Sequence, residues 1–237
     1  MGNIILDKVY VGSAKVEKLY LGNGLLYQRV EIYPKAEAPN GVYILTTDDY
    51  CVTRKDYVES GKTGMGIAII QNNLRLVTAY ELIREVAWNP LSATHEGLGY
   101  YATWQDAITV TAAQGKEMNN TLNASPWFNT GINAKAKEYS KGTLLDGSWY
   151  VPAASQLYNI TVSNWAEVRE ISKIFGSTLT TGSYNLWTII QKAGNTAWAA
   201  YMRYSPEYFR QHELISYGKN QTTGGDPALC LLPVADL

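Results

Sequence analysis

The chain of 237 residues is poor in the groups that build most chemical sites. Its two cysteines, Cys51 and Cys230, lie far apart, which excludes a CxxC ligand pair and a disulfide framework. One bridge between them stays open, and two buried free thiols are expected. The two histidines, His95 and His212, have no partner at metal-ligand spacing, so no metal site is expected. Twenty Lys and Arg against 21 Asp and Glu give a net charge of -1, scattered without a block of either sign. Nucleic acid and membrane surfaces both need a clustered positive field, so neither is expected as a partner. No run approaches the ~18 apolar residues of a membrane span. Met1-Gly2-Asn3-Ile4-Ile5-Leu6-Asp7 has no basic start, long apolar run or small-residue cleavage site. The expectation is a soluble product of a cytoplasm.

Catalytic sets are equally scarce. No Ser/His/Asp arrangement or glycosidase carboxylate pair can be singled out, and His212 beside Glu213 reads as an exposed loop pair. Asp48, Asp49 and Asp56 lack the EF-hand spacing and read as solvated turn carboxylates. No cofactor is expected.

What is present is 46% hydrophobic residues, enough for one sizeable core with at most a small appendage. Lys8-Val9-Tyr10-Val11-Gly12 recurs as Lys18-Leu19-Tyr20-Leu21-Gly22, followed by Gly24-Leu25-Leu26-Tyr27. Alternation ending at glycine predicts short strands, and Asn23-Gly24 a tight hairpin. So small a module (residues 1–30) must pack on something larger or assemble with copies of itself. Residues 31–40, with Pro34 and Pro39, read as a linker into a domain spanning 41–237.

In that domain Gly41-Val42-Tyr43-Ile44-Leu45 reads as a strand with Tyr50-Cys51-Val52 pairing back. Gly66-Ile67-Ala68-Ile69-Ile70 and Arg75-Leu76-Val77-Thr78-Ala79 form a hairpin over Gln71-Asn72-Asn73. Residues 91–101 read as a loop. Helices are expected over 104–113, capped by Thr103 with Thr111 on its buried face, and over 130–140. Asp146-Gly147 leads into Ser148-Trp149-Tyr150-Val151, and Pro152 ends that strand and starts a helix. A further helix runs from Asn164, read as its cap with Glu167 three residues on, to Phe175, where Gly176 stops it. Residues 184–234 mix small apolar anchors with Tyr, Arg, His and Gln and show no sustained helical or strand period in the middle. Such a mix suits a binding surface; the plainer reading is the irregular end of a globular domain with aromatics in its core.

Ser148-Trp149-Tyr150-Val151-Pro152-Ala153 and its helix, Leu186-Trp187-Thr188, Ala197-Trp198 and the terminal Leu231-Leu232-Pro233-Val234 together resemble C-type-lectin-fold domains. The branch they resemble is the variable proteins of diversity-generating retroelements, which include phage tropism determinants. The likeness covers about residues 40–237, and the N-terminal Lys-Val-Tyr-Val-Gly units resemble repeats of phage tail proteins. Gln156-Leu157 matches the family's glutamate-leucine position by type. Thr188-Ile189-Ile190 replaces a serine-rich segment, Leu232 stands where arginine is usual, and residues 208–218 lack the usual glycine-valine-asparagine turn.

The resemblance implies an α+β, C-type-lectin-like fold with a small N-terminal β module for tail attachment. Its first and last strands would close together, with Trp187 and Trp198 in the core. It implies a non-enzymatic phage tail or tail-fibre protein, made in the bacterial host cytoplasm and carried in the virion. The partners would be a bacterial surface protein or glycan and other tail proteins, and a trimer would follow the habit of tail proteins. By position in the family's display segment, the ligand-binding residues would be Ile189, Gln191, Lys192, Asn195, Tyr201, Arg203, Tyr204, Glu207, Tyr208, Arg210, His212 and Tyr217. A structural tail or virion decoration protein without a diversified site is the competing expectation. Formylglycine-generating oxidases share the fold, but they use paired C-terminal cysteines and Cys230 stands alone there. A calcium-dependent lectin would need glutamate-proline-asparagine or glutamine-proline-aspartate, which Asn220, Asp226 and Pro227 do not reproduce.

Overall fold

The computed structural model describes residues 10–11, 14–15, 18–21, 23–28, 30–72, 74–89, 95, 97–125, 131–139, 145, 148–177, 179, 183–203, 214–222 and 228–237. The N-terminal repeat forms two separate hairpins, β1 (Tyr10–Val11) with β2 (Ala14–Lys15) and β3 (Lys18–Leu21) with β4 (Gly24–Gln28). The β3–β4 hairpin forms, but Leu21 pairs with Gly24, so Gly24 lies in β4 and not in the turn, where the Asn-Gly signal places it. Residues 31–40 are more than a linker. They contain β5 (Ile32–Pro34), whose β-branched and aromatic side chains suit a strand and whose proline is tolerated at a sheet edge.

The following strands are β6 (Gly41–Thr46), β7 (Tyr50–Val52), β8 (Gly64–Gln71) and β9 (Leu74–Thr78), with the short helix α1 (Tyr57–Ser60) between β7 and β8. β8 and β9 form the expected hairpin, closed by Gln71 opposite Leu74, and Asn72 takes the left-handed backbone (φ 45°) that asparagine tolerates. After β10 (Ile83–Arg84) come the helices α2 (Trp104–Ala107), α3 (Ala112–Asn123), α4 (Ile132–Glu138), α5 (Ala154–Tyr158) and α6 (Trp165–Ile174).

Two helical expectations are corrected. The helix expected over 104–113 is divided, because Thr111 and Gln114 form a reciprocal capping box that starts α3. Asn164 does not cap α6 with its side chain. Its Oδ1 accepts from Gln71 Nε2 at 2.7 Å and its Nδ2 donates to Asn159 O, while Glu167 takes Arg54 at 2.8 Å. Long-range partners displace the local cap. Gly176, at φ 64°, ends this helical segment as expected.

The remaining strands are β11 (Ser183–Ala193), β12 (Thr196–Arg203), β13 (Leu214–Gly218), β14 (Ala228–Leu231) and β15 (Val234–Asp236). β15 pairs with β9 in a six-stranded sheet of order β15-β9-β8-β6-β7-β5, so the last strand does not close against β6. Both edges of β6 are already taken by β7 and β8. The second sheet has the order β10-β14-β11-β12-β13, with β11 and β14 parallel.

β11 and β14 form the wall between two cores. Tyr184, Leu186 and Cys230 join the core under the six-stranded sheet, with Ile44, Ile67, Val168 and Ile171. Trp187, Ile189, Leu229 and Leu231 join the core among α2, α3 and α4, with Trp88, Met118 and Ile132. A strand buried on both faces shows no apolar–polar alternation, which is why residues 184–193 look irregular in sequence. Each large apolar side chain buried here contributes about 1.5–3 kcal/mol before the entropy of ordering it. The architecture is α+β, and both cysteines are free thiols in the interior.

Candidate functional site

The β11–β12 hairpin turns at Gly194 and Asn195, and β12 is flanked by β13 with Thr196 opposite Gly218. The residue after β13, Lys219, is wholly buried. Its backbone N–H donates to Asn195 O at 2.9 Å, and its Nζ donates to Gln191 Oε1 at 2.7 Å and Gly194 O at 2.9 Å. The ammonium also lies 4.6 Å from the centre of the Trp88 ring, a cation–π contact. Gln191 completes the staple by donating from Nε2 to the carbonyls of His95 (2.9 Å) and Gly99 (3.0 Å). Three chain segments are thus tied at one end of the sheet.

Burial costs a charged amine its hydration, so the Lys219 pKa is pushed down to about 8. His95 is pushed down to about 4, first by burial and second by the Lys219 charge. Its Nε2 lies 2.8 Å from Asn89 Nδ2. An amide NH2 can only donate, so Nε2 accepts and the neutral ring carries its proton on Nδ1. Two indoles hold β11 further along: Trp88 Nε1 donates to Thr188 O at 2.8 Å and Trp187 Nε1 to Val86 O at 2.6 Å.

Among the described residues, those expected to contact ligand do not form one patch. Ile189 is fully buried in the helix-side core, and Gln191 is buried with both ends of its amide engaged. Both are corrected from surface contacts to interior residues. Lys192 is half-buried and Asn195 exposed near the tied turn. Tyr217, half-buried, meets Trp187 edge-on with ring centres 6.1 Å apart. Tyr201 and Arg203 pair through the backbone with Asn185 and Ser183, at the opposite end of the hairpin. Tyr201 is seven residue steps along the chain from Gly194, at most about 23 Å at ~3.3 Å per step. Tyr204, Glu207, Tyr208, Arg210 and His212 lie outside the described residues. Trp187 is in the core as expected; only the backbone of Trp198, opposite Ser216, is described.

The hairpin therefore has two unlike ends. One is fastened by Lys219 and Gln191, with the Trp88 ring against the ammonium. At the other, residues 201–203 pair with β11 beyond the last β12–β13 pair, Ala200 with Leu214, and lead into the connection 204–213. Sequence reasoning missed Lys219, Asn89 and His95 as members of the buried network. Lysine after glycine reads as a turn, and no local pattern marks a partner about 28 residues away. Comparison of the chain with protein-family models, curated proteins and solved structures found no match.

Proposed function

We propose that this chain is a non-enzymatic receptor-binding protein of a phage tail or tail fibre, with a C-type-lectin-like domain carrying the recognition surface. The observation that supports the reading most is the asymmetry of the β11–β12 hairpin. Its turn end is immobilised by a buried lysine, while its open end leads through Tyr201 and Arg203 into a connection bearing Tyr204, Tyr208, Arg210 and His212. Tyr and Arg dominate recognition surfaces because they offer large contact areas and directed hydrogen bonds. A connection held by a rigid sheet can vary in sequence without disturbing the cores. In this reading the ligand is a bacterial surface protein or glycan, and repeated copies on one tail would raise a weak affinity by avidity.

Recognition is assigned to residues 201–213, and Lys192, Asn195 and Tyr217 belong to the supporting end. The test is a combined Tyr201→Ala, Arg203→Ala, Tyr208→Ala and Arg210→Ala variant, assayed for adsorption to host cells and for thermal unfolding. Adsorption is expected to disappear with the melting temperature kept. A matching fall in both would make these residues part of the packing and sink the proposal.

A further inference from the structure

A second site lies between α3 and the segment 97–101. A cavity of about 360 Å³ opens there, within the size range of small-ligand sites. Its helical wall is Gln114, Glu117, Met118 and Thr121, at the i, i+3, i+4, i+7 spacing of one helix face. The facing wall is residues 97–99 with Tyr101.

Both walls are fixed. The segment 97–101 is tied to β11 through Gln191, which donates to Gly99 O and accepts from the Tyr101 N–H at 3.2 Å. Gly97 takes a left-handed backbone (φ 89°), and a Cβ there would stand 3.5 Å from Thr121 Cγ2, so the segment runs close against the helix. α3 in turn is seated on Val151 by Asn119, which donates to its carbonyl at 2.8 Å and accepts from its N–H at 3.0 Å. Gly115 lets the helix come close, since a Cβ there would stand 2.7 Å from that of Ala153.

The chemistry of the lining is one-sided. Glu117 is its one formal charge, and no Lys or Arg lines the cavity. The neighbours of Glu117 on the helix face, Ala113, Gln114, Asn120 and Thr121, carry no charge, and Lys116 is held by Asp236. The Glu117 carboxylate has no hydrogen bond or ion pair among the described residues. Gly97 can line the cavity only with backbone atoms, and its carbonyl has no partner among the described residues either. The Thr121 hydroxyl donates to Glu117 O at 3.1 Å, which leaves its oxygen free to accept. Acceptors and negative charge thus prevail. Leu98 and Met118, both buried in the helix-side core, add apolar surface. The geometry points to a binding site for a primary alkylammonium, carried by a free diamine or by a lysine side chain. An ammonium brings three donors and no acceptor, its charge answers Glu117, and its methylenes cover Leu98 and Met118. This site stands independently of the recognition end of the hairpin.

The test is titration of the full chain at pH 7 with cadaverine and with Nα-acetyl-lysine methylamide, followed by the assigned backbone ¹H–¹⁵N signals of Gly97 and Gly99. 1-Pentanol and pentanoate are the comparison probes. A saturable shift is expected for at least one amine, with a Kd on the order of 1 mM as suits so small a ligand. Binding of cadaverine alone identifies a free diamine as the ligand, and binding of the lysine derivative identifies a lysine side chain. Glu117→Gln, which loses no partner in the fold, should keep the unfolding midpoint and weaken amine binding by about fivefold or more. Glu59→Gln, an exposed carboxylate on α1, should bind as the parent does. The proposal is overturned if neither amine shifts the signals, if pentanol or pentanoate does so equally, if Glu117→Gln binds as the parent does, or if Glu59→Gln weakens binding as much. Host-cell adsorption is a separate readout and decides only the proposed function.

Discussion

His95 gives the buried network a signature in acid. Its pKa is about 4 in the folded protein, against about 6.5 for an unperturbed imidazole. Between pH 4 and 6.5 the unfolded chain binds a proton that the folded ring refuses. Stability therefore rises with pH across that window and is lost as pH falls through it. The stabilisation is complete above pH 6.5. At pH 4.5 about 2.5 kcal/mol of it should be gone, at ~1.4 kcal/mol per pH unit. Carboxylates paired in the native state, such as Asp48 with Lys62 and Glu170 with Lys173, contribute their own acid loss. His95→Gln isolates the imidazole, since glutamine keeps a neutral acceptor for Asn89 and cannot take up a proton. Urea unfolding of both proteins at pH 7 and pH 4.5 measures the difference. The parent should lose about 2.5 kcal/mol more than the variant over that interval. Equal losses would mean that His95 is not held neutral beside Lys219.

Other substitutions separate framework from surface. Gln191→Leu removes the acceptor of the buried Lys219 ammonium and the donor to two carbonyls, and urea unfolding should show a loss of about 3 kcal/mol or more; Lys192→Ala beside it should stay within about 0.5 kcal/mol. Equal effects would return Gln191 to the surface. Lys219 itself predicts stability gained as pH rises from 8 towards 10.5, because its depressed pKa makes the ammonium a burden below that window. Comparing the parent with Lys219→Met at pH 7.5 and 9.5 isolates that gain, which the variant should lack. Gly115→Leu has no room against Ala153 and should cost about 1–3 kcal/mol in thermal or urea unfolding; a neutral result would mean α3 is not seated on residues 151–153.

Elements governed by short-range physics were legible. The β8–β9 turn and the glycine stop after α6 each need only neighbouring residues and form as read, and the β3–β4 hairpin forms with Gly24 in the strand and not in the turn. α3 was hidden because the stretch Lys116 through Asn123 is largely polar and carries three asparagines, a residue type that favours turns over helices. Thr111 read as the inner face of one helix when its side chain starts the next. β11 was hidden for the opposite reason: burial on both faces erases its period. The candidate residues were chosen by type and by position along the chain, and position along the chain did not show which of them lie together. Aligning residues 189–217 along the chain treats them as one surface, whereas a hairpin sends its two ends up to about 23 Å apart. The lysine that fastens one end bonds to partners no local pattern could supply.

The central claim is that residues 204–213, carried by the open end of the hairpin, select the bacterial ligand. The most direct measurement is adsorption of labelled protein to a panel of bacterial strains, comparing the parent with a chain in which 204–213 is replaced by a Gly/Ser segment of equal length. Selective adsorption by the parent, abolished in the replacement while its unfolding midpoint is unchanged, is the predicted result. Undiminished selective adsorption by the replaced chain would contradict the account.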